Sequence, residues 1–377
     1  MKIVIAPDSY KESLSAMEVA ISIEQGFKHV LPNAEYIKLP MADGGEGTVQ
    51  SLVDATGGEI VEHSVTGPLG EPVSGFYGLL GDGKTAIIEM AAASGLHLVD
   101  PDKRNPMITT TFGTGELIKA VLDKGVEHII VGIGGSATND GGLGMAQALG
   151  IRLLDENHES LGFGGGELSK LHRINMRGLD PRLAQVRLEV ACDVDNPLCG
   201  PQGASQVFGP QKGATPDMVE QLDRNLAHYA SIIKAQLGQD VLTRPGAGAA
   251  GGLGAALMGL LNAELRPGIE IVMDAVNLDE IVEGADLVIT GEGRIDSQTI
   301  HGKTPIGVAR VANKHFVPVI GIAGSLSHDC GVVHEHGIDA VFSIVNRSVD
   351  LPTAFAEAAQ NIELTARNVA AMLQLKL

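Results

Sequence analysis

Several residue types that mark particular protein classes are scarce in this chain. It has no tryptophan, aromatic residues make up only 3%, and its three cysteines include no Cys-x-x-Cys pair. This pattern argues against a disulfide framework or a zinc site and favours a reducing compartment. No apolar run is long enough to span a bilayer, and the first residues lack the apolar core of a signal peptide. We therefore expect a cytoplasmic protein that does not bind membranes.

Positive charge is also scarce, because 27 lysines and arginines stand against 46 acids and give a net charge of -19. Such a chain has no diffuse basic face for nucleic acid, so any anionic ligand must be held by local cations and backbone N–H groups. Glycine, in contrast, is abundant at 49 residues, and the hydrophobic fraction of 44% is ordinary for a globular protein. A length of 377 residues favours two domains.

Both ends of the chain alternate between strand and helix patterns. Residues Lys2–Ala6 form a buried-type strand, and Ser15 with Glu18 makes a capping box that opens a helix. The alternation resumes at Asp286 and ends in a long predicted helix, 354–373. This order is typical of a parallel sheet covered by helices.

The N-terminal piece is too short to form a domain alone. We therefore expect an α/β protein with two α/β domains. Residues 1–60 and 286–377 would form one discontinuous domain around a parallel sheet. Residues 61–285 would form an inserted mixed α/β domain, with the active site in the cleft between the two domains.

Polar residues follow several of the predicted strands. Asp8, Ser9 and Lys11 follow the first strand, and Asp43 follows the second. Asp193 follows a strand that begins near Arg187. Ligands of open parallel sheets bind at the carboxyl ends of strands, so these residues are candidates for catalysis or substrate binding. The alternative for each is a solvated turn or a helix cap.

Two glycine-rich loops also follow predicted strands. The first contains Gly134, Gly135 and Ser136. The second is denser in charge and lies before a predicted helix; it comprises Gly291, Glu292, Arg294, Asp296 and Lys303. Glycine lets backbone N–H groups approach an anion, and a helix N-terminus adds partial positive charge, so both loops suit a phosphate with its Mg²⁺. A surface salt-bridge cluster is the alternative for the second loop.

Two further segments match nucleotide-binding motifs only in part, and one further lysine is not assigned to the site. Residues 78–85 match the Walker A string, but Thr85 reads as the start of a hairpin strand rather than of a helix. Gly132, Gly134 and Ala137 form a relaxed dinucleotide fingerprint whose helix starts too late. Lys212, beside a helix start, is most simply an exposed lysine.

Together, the motifs resemble those of the bacterial glycerate kinase family, type 1, over essentially the whole length. The matching segments are Ala-Pro-Asp-Ser-Tyr-Lys from Ala6, Ala-Asp-Gly-Gly-Glu-Gly-Thr from Ala42, Glu-Met-Ala-Ala-Ala-Ser-Gly-Leu from Glu89, Gly-Ile-Gly-Gly-Ser-Ala-Thr-Asn-Asp-Gly-Gly from Gly132, Ala-Cys-Asp-Val-Asp-Asn-Pro-Leu from Ala191, Phe-Gly-Pro-Gln-Lys-Gly from Phe208, Gly-Ala-Gly-Ala-Ala-Gly-Gly-Leu-Gly from Gly246 and Thr-Gly-Glu-Gly-Arg-Ile-Asp-Ser-Gln-Thr from Thr290.

The resemblance implies a phosphotransferase with a flavodoxin-like domain and a second α/β domain. Its substrates would be ATP and D-glycerate, its product 2-phosphoglycerate, and its pathway glyoxylate or glucarate/galactarate catabolism. A kinase that makes 3-phosphoglycerate, an NAD-dependent oxidoreductase of a small hydroxy acid and a non-catalytic binding module are the alternatives. The oligomeric state stays open, with a homodimer as one expectation.

Phosphoryl transfer needs charge neutralisation and a proton acceptor, which assigns roles to the motif residues. We expect Asp193 to be the base and Asp296 a Mg²⁺ ligand, or the reverse. Lys11 and Lys303 would contact phosphates, and Arg294 or Lys11 would hold the glycerate carboxylate. The remaining expected contacts fall into two sets: substrate-binding Asp8, Ser9 and Asp43, and nucleotide-binding Gly134, Gly135, Ser136, Gly291 and Glu292.

Overall fold

The computed structural model describes residues 1–375. Its strands are β1 Lys2–Pro7, β2 Glu35–Lys38, β3 Glu59–Thr66, β4 Pro72–Leu79, β5 Thr85–Glu89, β6 His128–Gly132, β7 Arg152–Leu154, β8 Arg173–Asn175, β9 Arg187–Ala191, β10 Glu264–Arg266, β11 Leu287–Gly291, β12 Arg294–Ile295, β13 Val319–Ala323, β14 Ser325–Leu326 and β15 Ala340–Ser343.

Its α-helices are α1 Ala16–Lys28, α2 Thr48–Thr56, α3 Ala91–Ser94, α4 Phe112–Leu122, α5 Leu143–Ala148, α6 Ala204–Phe208, α7 Pro216–Leu237, α8 Ala249–Leu261, α9 Gly268–Ala275, α10 Leu278–Val282, α11 Thr304–Lys314, α12 Leu351–Ala356 and α13 Ala358–Met372. Short 3₁₀ segments lie at Leu96–Leu98, Pro101–Lys103, Gly165–Lys170, Met176–Gly178, Pro181–Gln185, Pro210–Lys212 and Cys330–His336.

The chain divides into two compact units. Unit 1 contains Met1–Asp43, Gln50–Gly57 and the chain from Ile269 onwards, and unit 2 contains Gly44–Val49 and Gly58–Gly268. The domain boundaries expected at residues 60 and 286 stay a prediction.

Unit 1 is built on a five-stranded sheet in the order β15-β13-β11-β1-β2, and every neighbouring pair is parallel. This is the flavodoxin-like order, in which the strand sequence reverses between β1 and the strand that pairs with it on its other side, here β11. The expected α/β class with a flavodoxin-like sheet is therefore confirmed. Ligands of such sheets bind outside the carboxyl ends of the strands at this reversal.

Helix α1 of unit 1 shows how the local sequence forms its elements. Ser15 and Glu18 make the predicted capping box: the Glu18 N–H donates to the Ser15 hydroxyl, and the Ser15 N–H donates to the Glu18 carboxylate. The helix buries Ile23 and Phe27 against the sheet, each contributing about 1.5–3 kcal/mol of hydrophobic stabilisation. At Gly26, a Cβ would collide with the backbone of α13, so glycine permits the close packing of these two helices.

Unit 2 has a mixed six-stranded sheet in the order β10-β9-β6-β5-β4-β3, with β3, β4 and β5 antiparallel and the other pairs parallel. Helix α8 is almost wholly buried, and Ala250, Gly251 and Gly252 near its start have left-handed backbone angles. One difference from expectation lies in unit 1. The long C-terminal helix is two helices, α12 and α13, because the backbone leaves the helical region at Glu357.

Candidate active site

A cavity of about 470 Å³ in unit 1 opens where the sheet order reverses. It brings together residues that follow β1, β2 and β11 and lie far apart in the sequence. The lining includes seven residues expected from the sequence: Asp8, Ser9, Lys11, Asp43, Glu292, Arg294 and Lys303. Three of these side chains are cationic and three are acidic, which is the mixture that a phosphate with its metal requires.

The loop after β1 carries Asp8 at the floor of this cavity. One Asp8 oxygen accepts the Ser9 N–H at 2.6 Å, and the other accepts the Thr304 hydroxyl at 2.6 Å. Burial raises the pKa of Asp8 to about 6, and repulsion from the carboxylates of Asp43 and Glu292 adds to the rise. Asp8 is therefore an anion held at a cost in folding free energy, as acids in functional sites commonly are.

We predict that Asp8→Asn stabilises the protein at neutral pH. Between pH 3.8 and about 6, folded Asp8 holds a proton that the unfolded side chain has lost, so stability falls as pH rises through this window. The neutral amide removes this penalty and should raise the free energy of unfolding by about 1–2 kcal/mol at pH 7.5. Urea unfolding at pH 7.5 and pH 4.0 measures this gain, which should shrink at the lower pH.

The exposed Asp102→Asn variant is the control and should change stability little at either pH. A destabilised Asp8→Asn protein at pH 7.5 would contradict the assignment of burial as the dominant cause.

The loop after β11 supplies the other side of the cavity. Gly291 cannot carry a side chain, since a Cβ there would collide with the carbonyl oxygen of Ile322. Burial raises the pKa of Glu292, whose carboxylate accepts the Thr299 hydroxyl at 2.6 Å and lies 3.3 Å from the Lys303 Nζ. Lys303 is also the residue immediately before helix α11, so its side chain and the helix N-terminus favour the same anion.

Arg294, which lines the cavity, pairs with a further predicted residue of this loop, Asp296. The Arg294 Nε is 3.3 Å from an Asp296 oxygen, and the Arg294 side chain is 65% exposed, so the guanidinium can reorient toward a ligand. The other Asp296 oxygen accepts the Gln298 N–H at 2.9 Å. This bond fixes the carboxylate at the start of the turn that precedes α11.

The remaining predicted residues lie in unit 2, after β6 and β9. Gly134 and Gly135 line a second, smaller cavity of about 190 Å³ together with Glu89. Gly135 has a φ of 71°, and its carbonyl oxygen accepts the Leu96 N–H at 2.8 Å. Asp193 is exposed, and one of its oxygens accepts the Gly268 N–H at 2.9 Å. The two residues expected as base and metal ligand, Asp193 and Asp296, thus belong to different units.

The hydrogen-bond donor to Ser136 is Lys212, whose environment was predicted wrongly from the sequence. Lys212 is not an exposed lysine: it is 1% exposed, and its Nζ donates to the Ser136 hydroxyl at 2.7 Å and to the Thr138 carbonyl oxygen at 2.6 Å. Burial lowers the pKa of Lys212 to about 7, while the buried carboxylate of Asp140 acts in the opposite direction. The only local signal of this role is that glycine and proline surround the lysine, which fixes its backbone.

We predict a pH-dependent stability difference between the wild type and Lys212→Met. Between about pH 7 and pH 10.5, unfolded Lys212 holds a proton that the folded side chain lacks, so this group makes stability rise with pH. The free energy of unfolding of the wild type should therefore rise relative to the variant by about 1 kcal/mol per pH unit. Urea unfolding of both proteins at pH 7.5, 8.25 and 9.0 gives this slope.

The matched control is Lys234→Met, which replaces a largely exposed lysine and should give no such slope. A flat or falling difference for Lys212→Met would show that Lys212 keeps its proton in the folded state.

The structure excludes the P-loop alternative. Gly78 pairs with Ile87 and Leu79 with Ala86 across an antiparallel hairpin, so no helix begins at Lys84. The dinucleotide fingerprint also lacks its helix, because α5 begins only at Leu143, after a left-handed Gly142. Within residues 1–375, no helix is long and apolar enough to cross a membrane.

Comparisons with known proteins agree with the family that the sequence motifs indicate. The family model described as the glycerate kinase family matches residues 3–374. A protein of Bacillus subtilis (strain 168) named glycerate kinase is 65% identical, with 100% of this chain and 98% of that protein covered. A protein of Escherichia coli (strain K12) named glycerate 2-kinase is 61% identical, with 99% and 98% covered.

A crystal structure of a glycerate kinase 2 from Salmonella typhimurium LT2 superposes with a TM-score of 0.93 at 60% identity, covering 99% of this chain and 98% of that one. Agreement of this extent in both sequence and structure covers both units and every predicted site loop. The chain belongs to the glycerate kinase family and is a phosphotransferase.

Proposed function

We propose that this kinase transfers the γ-phosphoryl group of ATP to the 2-hydroxyl of D-glycerate, giving 2-phosphoglycerate and ADP. The observation that carries the proposal is the cavity at the sheet reversal, where Lys11, Arg294 and Lys303 face Asp8 and Glu292. The similarity to a protein named glycerate 2-kinase supports the choice of hydroxyl.

Lys11, Lys303 and the N-terminus of α11 hold the phosphates, because all three present positive charge or N–H groups to the cavity. The backbone at Gly291 and the carboxylate of Glu292 lie on the same side of the cavity as Lys303. The Glu292 carboxylate holds the Lys303 ammonium in position. In unit 2, Gly134, Gly135 and Ser136 form a second anion-binding turn. Lys212 acts there as a positioning residue, since it fixes the Ser136 hydroxyl.

The carboxylates fit Mg²⁺ that arrives with the nucleotide. Among residues 1–375, no three or more His, Cys, Asp or Glu side chains group as a complete metal cage. Mg²⁺ in kinases usually takes one or two protein carboxylates and completes its shell with water and phosphates, so Asp296, with Asp193 as the alternative, is a sufficient donor set. When bound, Mg²⁺ neutralises charge on the transferring phosphoryl group.

The acceptor side needs a cation and a base. Arg294, or Lys11, pairs with the glycerate carboxylate, while Asp8, Ser9 and Asp43 bind its hydroxyls. As the bond from the 2-hydroxyl oxygen to the γ-phosphorus forms and the bond to the β,γ-bridging oxygen breaks, Asp193 takes the hydroxyl proton. The ADP oxygen leaves with its charge neutralised by Lys303.

We place this reaction in the cytoplasm and in glyoxylate or glucarate/galactarate breakdown, with the homodimer as our proposed assembly. The test of the function is ADP release by the purified protein with Mg-ATP, measured against D-glycerate, L-glycerate and glycerol. We expect turnover with D-glycerate only. Turnover with glycerol, which lacks the carboxylate, would contradict the assigned role of Arg294 or Lys11, and no turnover with D-glycerate would overturn the proposed acceptor.

A further inference from the structure

The cavity of unit 1 has a second, apolar end that none of the roles above uses. It is formed by the segment after β15 and by α12 and α13, and its apolar lining comprises Ile344, Val345, Val349, Leu351, Phe355 and Ala358. Val345 is 53% exposed and Leu351 is 62% exposed. Exposed apolar side chains that gather at the mouth of a charged cavity mark a ligand contact rather than ordinary surface.

Two amides lie on this apolar end. The Asn346 amide donates to the Asn361 side-chain oxygen at 2.7 Å, and both residues line the cavity. In either orientation of the two amides, one hydrogen bond between them leaves one carbonyl oxygen and three N–H groups for a ligand. The pair therefore offers an acceptor beside a donor, set against an apolar wall.

Arg347 is not available to neutralise an anion at this end. Its guanidinium donates to both carboxylate oxygens of Glu357, at 2.6 and 2.8 Å. This ion pair ties the segment after β15 to the start of α13. The end of the cavity is thus held in place and carries little net charge, which suits a neutral ring better than a phosphate or a carboxylate.

We propose that the apolar end of this cavity holds the adenine base of ATP, with Asn346 and Asn361 bonded to its polar edge. Adenine presents an N6 amino donor beside an N1 acceptor, which complements the acceptor and donor of the amide pair. Glycerate has no apolar ring to cover these side chains. The cavity volume of about 470 Å³ lies in the range of small-molecule sites and is continuous with the charged end proposed for the phosphates.

This inference rests on the proposed function, because it needs ATP as the donor. With the Asn346 amide donating to Asn361, the spare Asn346 oxygen accepts from the N6 amino group and a spare Asn361 N–H donates to N1. Leu351 and Phe355 cover the ring. The two amides are specificity-determining residues and take no part in the transfer.

The first test is steady-state kinetics of Asn361→Ala and Leu351→Ala. We expect each to raise the KM for ATP by about threefold to tenfold, the loss typical of one neutral hydrogen bond or a partly buried contact. The kcat and the KM for D-glycerate should stay at wild-type values. Asn157→Ala and Leu364→Ala, which replace exposed residues outside the cavity, are the matched controls.

The second test uses purine riboside triphosphate, which lacks the 6-amino group, as the phosphoryl donor. The wild type should show a KM for it about threefold to tenfold above that for ATP, and Asn346→Ala should lose this difference because the acceptor is gone. An unchanged KM for ATP in Asn361→Ala, or an undiminished difference in Asn346→Ala, overturns the subsite.

Measurements on the wild type distinguish failure of the proposed function from failure of the adenine subsite. If the wild type does not phosphorylate D-glycerate, equilibrium binding of Mg-ATP by calorimetry still tests the subsite. A threefold to tenfold weaker affinity in Asn361→Ala supports the subsite in that case, and an unchanged affinity overturns it.

Discussion

Asp193→Asn is expected to lower kcat for glycerate phosphorylation by about 10²- to 10⁴-fold, the range for loss of a positioned general base. The KM for ATP should change little, because the variant leaves the proposed phosphate contacts Lys11 and Lys303 intact. The amide keeps the shape of the side chain and can still accept the Gly268 N–H, so folding should be preserved. Steady-state kinetics with thermal melting of the same preparation measures both effects.

Asp195→Asn is the matched control, since it removes an exposed carboxylate only two residues further along, and it should keep near-wild-type turnover. Asp296→Asn should instead raise the Mg²⁺ concentration needed for half-maximal activity, as expected for a metal ligand. If Asp193→Asn shows the shifted Mg²⁺ requirement and Asp296→Asn shows only a lower kcat, the two roles are exchanged. Near-wild-type turnover in both variants would contradict both assignments.

Lys303→Met is expected to lower kcat/KM for ATP by about 10²- to 10³-fold, comparable to the loss of one preorganised donor to a developing charge. Lys303 lies at the cavity and just before α11, so its ammonium reinforces the helix N-terminus at the same place. Its removal also leaves Glu292, a carboxylate whose pKa burial already raises, without its cation. The kinetic constants for ATP at saturating glycerate give the result.

The control for this variant lies at the other end of the same helix. Lys314→Met removes a lysine that pairs with Asp279 outside the cavity, and it should leave kcat/KM unchanged. Equal losses in Lys303→Met and Lys314→Met would mean that the effect is one of helix stability. No loss in Lys303→Met would remove this lysine from the phosphate site.

Local patterns were sufficient to predict the elements that depend on neighbours in sequence. The capping box at Ser15, the first strand and the hairpin around Lys84 are all confirmed. They could be predicted because each depends on side chains a few residues apart. The rule that ligands collect at strand ends also selected residues that the structure brings into one cavity, such as Asp8, Glu292 and Lys303. Their roles stay predictions.

Contacts between residues that are far apart in the sequence were not predicted. Lys212 is buried because Ser136 and Thr138, more than seventy residues earlier, accept from its Nζ, and no local periodicity signals such a bond. The amide pair of Asn346 and Asn361 likewise forms only when the segment after β15 folds against α13. The break between α12 and α13 at Glu357 is a single change of backbone angle inside an otherwise continuous helical pattern.

Phosphorus NMR of the purified protein with Mg-ATP and D-glycerate shows both whether the phosphoryl group is transferred and which hydroxyl receives it. We expect the γ-phosphate signal of ATP to decrease while signals of ADP and 2-phosphoglycerate increase in equal amounts. A 3-phosphoglycerate signal would contradict the proposed position of the acceptor hydroxyl relative to the base. An unchanged ATP spectrum from folded protein would contradict D-glycerate as the acceptor.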